Sequence, residues 1–405
     1  MKKVLFCNLD LLVKSFIGLD PEVSLKNRNE FLEYINTLCE DNDNVVCFIS
    51  REQDKLDLGK QHFDDKGYTK FKYKLRDDAK EFVMQNKSRN NYFVFVGNKE
   101  VDFYLAVNTQ SLFIVPTWIP VEERAQRYGV CVDTPIQFYK FILTLNNNNS
   151  WYSQLKIDDK STCISLMDAR TYAGSQTLSE RQMLTNFQQL LKRGQSRSYY
   201  TILMYHFLAN MTNSTLFDDI ELFGMMPSSN CLVNLDLFRF MEQVRYIKNK
   251  RLPQSVYRQP PEEQNLLIRY KPKRQMHGGS QIGRANIGGS LEFDSLYINP
   301  AFETKIKNLK RQRKFNVLIF DDYMDYGNGF NAVRCLLESI GANKIIFVSM
   351  GNFRKQFQKK DYIISGNVFG AGYTCVIETE QVLTNFTINN SAKMEVDHLH
   401  DIFNK

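Results

Sequence analysis

Residues 316–331 read NVLIFDDYMDYGNGFN. Four apolar residues, Val317 to Phe320, end in two carboxylates, Asp321 and Asp322. The chain then turns through Gly327 and Gly329 into a helix-like run. An apolar run of this kind reads as a buried strand, which makes this half of the chain α/β. Acids at the strand end, followed by a glycine turn onto a helix N-terminus, form a place where a phosphorylated sugar can bind. Helix amides and the positive dipole end suit a phosphate, and carboxylates suit sugar hydroxyls or a hard cation. The competing reading is a plain strand–turn–helix in which acids and glycines serve geometry alone. A dinucleotide fingerprint over Gly327, Gly329 and Ala332 fits less well: two aspartates separate strand from glycines, and Glu338, the only acid beyond, lies too close.

The 405 residues leave room for two or three domains. A hydrophobic share of 43% is enough for packed cores and excludes a disordered chain. The net charge of +7 permits anionic ligands without requiring them. The eight cysteines are scattered, with no CxxC pair, mostly inside apolar runs. That predicts buried free thiols in a reducing cytoplasm rather than disulfides or zinc. The opening MKKVLFCNLDLLV starts like a signal peptide, but Asn8 and Asp10 interrupt it. No apolar window of about 18 residues occurs, so neither export nor a membrane span is expected.

Residues 1–145 alternate strand-like runs (3–7, 45–49, 92–96, 111–115) with amphipathic ones (28–39, 77–85). This predicts a doubly wound parallel sheet covered on both faces. NNNNS at 146–150 is the linker candidate. A second doubly wound α/β domain is expected over 151–405. Its parts are a helical lead-in at 151–215, with helical spacing at 178–191 and 199–210, then a strand at 220–226 and a helix at 235–247. A mobile basic loop over 251–315 follows, then strand 317–320, helix 330–340 stopped by Gly341, and strand 344–350.

Three segments in order resemble type I phosphoribosyltransferases, closest to their competence-protein-F-like branch, over about residues 155–385. They are FDDIELFGMMPSSN (217–230), RANIGGSL (284–291) and the loop from Asp321 to Gly329. The resemblance implies that Pro227, Ser228, Ser229 and Asn230 hold the pyrophosphate of phosphoribosyl diphosphate (PRPP). It implies a hood loop (271–290, KPKRQMHGGSQIGRANIGGS) in which Lys273, Arg274, His277, Arg284 and Asn286 cover the substrate. It implies that Asp321 and Asp322 bind the ribose hydroxyls directly or through Mg2+. The 5′-phosphate loop falls on Asp325, Tyr326, Gly327, Asn328, Gly329 and Phe330, and here the family pattern is broken. Asp325, Tyr326 and Gly329 stand where hydroxyl residues are expected, leaving backbone amides and the Tyr326 hydroxyl as donors.

Residues 1–145 resemble a haloacid-dehalogenase-like (HAD) domain. Strand-end motifs fall at Asn8–Leu9–Asp10, at Ser50 and at Asn98 with Asp102; the motif lysine is Lys72, Lys74, Lys80 or Lys87. Asn8 stands where the family has its nucleophilic aspartate, and an amide oxygen cannot form an acyl-phosphate. Asn98 stands where a Mg2+ ligand is expected. The expectation is a degenerate, non-phosphatase domain; a flavodoxin-like or receiver-like domain is the alternative.

Two basic runs remain, RYKPKR (269–274) and KIKNLKRQRK (305–314). They read as solvated faces, as a rim that attracts PRPP, or as contacts for nucleic acid. The expected function is Mg2+-dependent binding of PRPP or a ribose-phosphate relative, with transfer to an unknown acceptor. The alternative is a pseudoenzyme effector that binds a nucleotide or nucleic acid within a larger complex. Such fusions resemble proteins of bacterial stress-response and phage-defence operons.

Overall fold

The computed structural model describes residues 2–13, 19–40, 44–87, 91–145, 151–170, 198–273 and 288–403, with positions 174, 177, 178, 181, 182 and 185. The first unit is a six-stranded sheet of β1 (Lys2–Asn8), β2 (Asn44–Ser50), β3 (Lys72–Leu75), β4 (Asn91–Val96), β5 (Leu112–Pro116) and β6 (Val130–Val132). Every pairing is parallel, in the order β3-β2-β1-β4-β5-β6. Aromatic and β-branched residues fill the central strands because both faces are covered; Phe6 of β1 stacks on Phe95 of β4 at 5.0 Å. Two helices of this unit start where a side chain satisfies their first amides. The Asp20 carboxylate accepts from Glu22 and Val23 at the head of Pro21–Glu40, and the Thr134 hydroxyl accepts from Gln137 at the head of Pro135–Thr144.

The second unit is also α/β, but its sheet is mixed rather than wholly parallel. β7 (Ser153–Lys156), β8 (Ser161–Asp168), β9 (Leu222–Met225), β12 (Asn316–Met324), β13 (Lys344–Asn352) and β16 (Thr387–Ile388) lie in the order β16-β7-β8-β13-β12-β9. The four strands from β8 to β9 are parallel, and β7 and β16 join antiparallel. The helical lead-in expected over 151–215 is thus corrected at its start. Residues 153–156 alternate buried and exposed at the strand period, and 161–168 form a second strand; the helix expected over 178–191 is present at its described positions, Leu178, Arg181, Gln182 and Thr185, and another runs over Ser198–Thr212. The 178–191 helix falls largely outside the described residues, as does the 146–150 linker. Nor is 251–315 simply a loop where described. β10 (Leu267–Arg269) pairs antiparallel with β11 (Leu296–Ile298), and helix Glu303–Arg311 leads into β12. A second antiparallel pair, β14 (Phe357–Ser365) and β15 (Thr374–Leu383), packs beside helix Asn328–Ser339.

One face of the second sheet shares a continuous apolar core with the first unit. Trp151, Phe207, Phe217 and Phe320 form its aromatic centre. The Tyr92 hydroxyl donates to Ala209 O at 2.8 Å across the junction. Helix Asn390–Phe403 closes the same core, with Phe403 against Phe141 and Tyr205. A buried network joins it to Ser198–Thr212, where Glu395 Oε1 lies 2.8 Å from both His206 Nδ1 and Asn210 Nδ2. The opposite face carries a second core around Phe330, Phe347 and Phe357. All eight cysteines are free, four of them buried and four half-buried. No helix among the described residues is long and apolar enough to cross a membrane.

Candidate functional site

β9 accompanies β12 from Val317 to Phe320, and the Met226 amide makes a last bond to Phe320 O at 2.8 Å. Pro227 has no N–H to continue the ladder, so the chain leaves the sheet there. β12 runs on past this point with only β13 beside it. Asp321 is the first residue without a β9 neighbour, and Asp322 follows. Each carboxylate accepts from the next amide: Asp322 N to Asp321 Oδ1 at 2.8 Å, Tyr323 N to Asp322 Oδ1 at 2.6 Å. Burial raises both pKa values. Repulsion from Asp322, and more weakly from Glu292, pushes Asp321 further up; the Tyr323 amide and Lys273 partly offset the rise at Asp322. Such a pair holds a shared proton or calls for a cation.

The turn after β9 is closed by its own bonds. Ser228 N donates to Leu232 O, and the Asn230 side chain accepts from Leu232 N. Ser228 and Ser229 stay partly exposed. Lys273 N donates to Ser229 O at 2.7 Å, which ties Lys273 to this turn. On the other side, Gly327 stands at φ +74 before helix Asn328–Ser339, and its carbonyl accepts from Asn331 N. A Cβ there would lie 2.2 Å from the Phe357 ring, so only glycine fits. Tyr326 sits beneath Lys355, whose Nζ is 5.0 Å from the ring centroid and 3.4 Å from the hydroxyl. Asp325 and Asn328 are half-buried in the turn. The Phe330 side chain stacks on Phe347 in the core, leaving that residue only its backbone for a ligand.

Glu292 links these parts and was not singled out from sequence. Its carboxylate takes Arg269 Nη2 at 2.7 Å and pairs with Lys273 Nζ. Arg269 also donates to Pro227 O. A Cβ on Gly329 would stand 3.6 Å from Glu292 Oε1 and 3.1 Å from the Met226 methyl. Burial works to raise the Glu292 pKa, but Lys273 and Arg269 outweigh it and hold the carboxyl below its usual range. Glu292 follows directly on RANIGGSL and is the first acid after Glu263, the one signal that could have marked it. Arg274, His277, Arg284 and Asn286 lie outside the described residues.

At the carboxyl ends of β1 and β4 the strand order of the first sheet reverses, and such a switch point opens a crevice. Asn8, Asp10, Asn98 and Asp102 meet there, with Ser50 at the end of neighbouring β2. Asn8 Nδ2 donates to Asp102 Oδ2 at 2.8 Å, and Asn8 Oδ1 accepts from Asp10 N at 3.0 Å. Asn98 Nδ2 donates to Pro120 O, and Ser50 Oγ accepts from Glu52 N. Asp10 is paired with both Lys55 and Lys99. Burial alone would raise its pKa, but the two lysines hold it low. Arg76 Nη2 pairs with Asp102 at 2.5 Å, yet burial still keeps that carboxyl raised. Lys55, Arg76 and Lys99 were not foreseen. Of the lysines weighed, Lys74 lies over the Phe82 ring and Lys87 pairs with Asp218, so Arg76 is the cation that reaches Asp102.

Among the described residues, no group of three or more His, Cys, Asp or Glu has metal-holding geometry. Comparison with protein-family models, with curated proteins and with solved structures finds no match.

Proposed function

We propose that the second unit binds PRPP or a closely related ribose-phosphate ligand together with Mg2+, at the carboxyl end of its parallel strands. The observation that carries this reading is convergence. The turn after β9, the cluster of Arg269, Lys273 and Glu292, and the β12 loop are far apart in sequence, yet they come together beside one acid pair. In this reading Asp321 and Asp322 accept from the ribose hydroxyls. Ser228 and Ser229 hold the diphosphate, and amides of Asn328, Gly329 and Phe330 hold the 5′-phosphate, with Lys355 nearby in place of the missing hydroxyls. Lys273, beside the acid pair, would face the ligand in this reading; Arg274, His277, Arg284 and Asn286, the other residues expected to cover it, lie outside the described residues.

The donor set suits Mg2+, which takes one or two carboxylates plus phosphate oxygens and water. The raised pKa values of Asp321 and Asp322 are those of a carboxylate pair short of positive charge. Bound there, Mg2+ would neutralise charge on a departing pyrophosphate. In the first unit, Asn8 cannot act as a nucleophile and Asp10 is neutralised by lysines, so this unit is read as non-catalytic.

A second reading, binding without turnover, is favoured by one observation: Glu292 already occupies two cations that a diphosphate would draw. A thermal shift tests the binding. PRPP with Mg2+ should stabilise the protein by about 2.7 kcal/mol at 100 times Kd, and Asp321→Asn with Asp322→Asn should erase the effect. No shift at millimolar PRPP sinks the proposal; a shift with no pyrophosphate release when a panel of nucleobase and amine acceptors is added selects the second reading.

A further inference from the structure

The basic run at 305–314 lies at the wrong end of the sheet to serve the acid pair. Helix Glu303–Arg311 ends at the amino end of β12, where Asn343 N donates to Phe315 O and Ile345 N to Lys160 O. At about 3.3 Å per strand residue, Asp321 lies roughly 16 Å further along β12 than Asn316. The helix turns Ile306 and Leu309 into the core and leaves Lys307, Lys310 and Arg311 exposed, with Arg313 and Lys314 just beyond. Lys307 is neutralised by Glu303 at 2.7 Å. Lys310, Arg311, Arg313 and Lys314 form no ion pair with a carboxylate among the described residues. The acids nearby are committed elsewhere: Asp158 and Glu338 to Arg334, Asp159 to Lys156, Asp219 to Lys344. Lys310 lies across Gly341, which brings the helix cations onto the strand rim.

We propose that this amino-end rim is a docking surface for the phosphate backbone of duplex nucleic acid. Four cations, Lys310, Arg311, Arg313 and Lys314, form no ion pair among the described residues and match a row of phosphates. No large apolar side chain between 303 and 316 is exposed, so the surface lacks what a membrane-inserting helix needs. Phe315 is fully buried, so this segment offers no ring for stacking unpaired bases. The rim reads charge and spacing, and binding is expected to be indifferent to sequence.

Fluorescence anisotropy of the full chain with labelled mixed-sequence DNA and RNA duplexes tests this. Binding of at least one duplex should weaken steeply with KCl. The triple change Lys310→Glu, Arg311→Glu, Lys314→Glu should cost at least about tenfold in affinity and lower the log–log salt slope by about 3. The milder pair Lys310→Gln and Lys314→Gln should give an intermediate loss with an unchanged melting temperature. A charge-matched control on the first unit, Lys66→Glu, Lys70→Glu, Lys80→Glu, should leave affinity within about threefold. An equal loss in the control, a flat salt response, no binding of either duplex at low salt, or capture by phosphatidylserine vesicles in place of duplex would each overturn the proposal.

Discussion

Glu292 holds Arg269 and Lys273 in a buried cluster beside the glycine turn, so an incoming diphosphate has to compete with a carboxylate for its cations. Glu292→Gln keeps the shape and removes the charge. Pyrophosphate should then bind about tenfold tighter, a gain of about 1.4 kcal/mol by titration calorimetry; equal or weaker binding would mean that the glutamate only positions its partners. Asn8 can be tested in the same spirit. Asn8→Asp restores a nucleophile by residue type, but sets a carboxylate against Asp102 and leaves Asp10 held by Lys55 and Lys99. No phosphomonoester hydrolysis is expected, together with a loss of about 1–3 kcal/mol in chemical denaturation. The contrast shows which residues sequence could reveal. Asp321 and Asp322 were legible because an apolar run stops at them. Glu292, Lys55, Arg76 and Lys99 act through partners distant in the chain, and no local pattern marks such pairs.

At the level of elements, β1, β2, β4, β5, β9, β12 and β13 and the helical runs 28–39, 77–85 and 235–247 follow from hydrophobic period. β3 and β6 did not stand out, because KYKL and VCV are too short for a period to show. β7 and β8 were hidden by the helical spacing that follows them, and the antiparallel edge of the second sheet was hidden with them. The helix behind the acid pair depends on its first turn. Gly327→Ala forces a left-handed residue with a Cβ onto the Phe357 ring. It should destabilise by about 1–3 kcal/mol and weaken PRPP binding beyond what stability loss explains, read by comparing the ligand-induced shift in variant and parent.

Across the whole molecule, Lys248 is an electrostatic tie between the two units. Its ammonium reaches the Gln110 side-chain oxygen and lies 3.4 Å from Asp218 Oδ1. Burial lowers its pKa to about 8, against the pull of Asp218. The folded chain therefore releases this proton before the unfolded chain does. The burial cost is full below pH 8 and is relieved as pH rises toward the ordinary lysine value. Relative to Lys248→Met, the parent should gain stability from pH 8 to about 10.5, by on the order of a few kcal/mol. Using the difference between the two proteins cancels the cysteines and tyrosines that titrate in the same range. A flat difference would show that Lys248 stays protonated.

The closure of the shared core by Asn390–Phe403 has a consequence for synthesis. Gln137 donates to Ile402 O at 3.0 Å, and Phe403 covers Phe141 and Tyr205. The first unit is translated early, yet the helix that finishes its apolar surface arrives some 250 residues later. At about 5–20 residues per second, the nascent chain spends many seconds with that surface uncovered. Folding on the ribosome can begin with the first sheet, but the apolar surface that Phe403 covers is closed only after residue 403 has emerged.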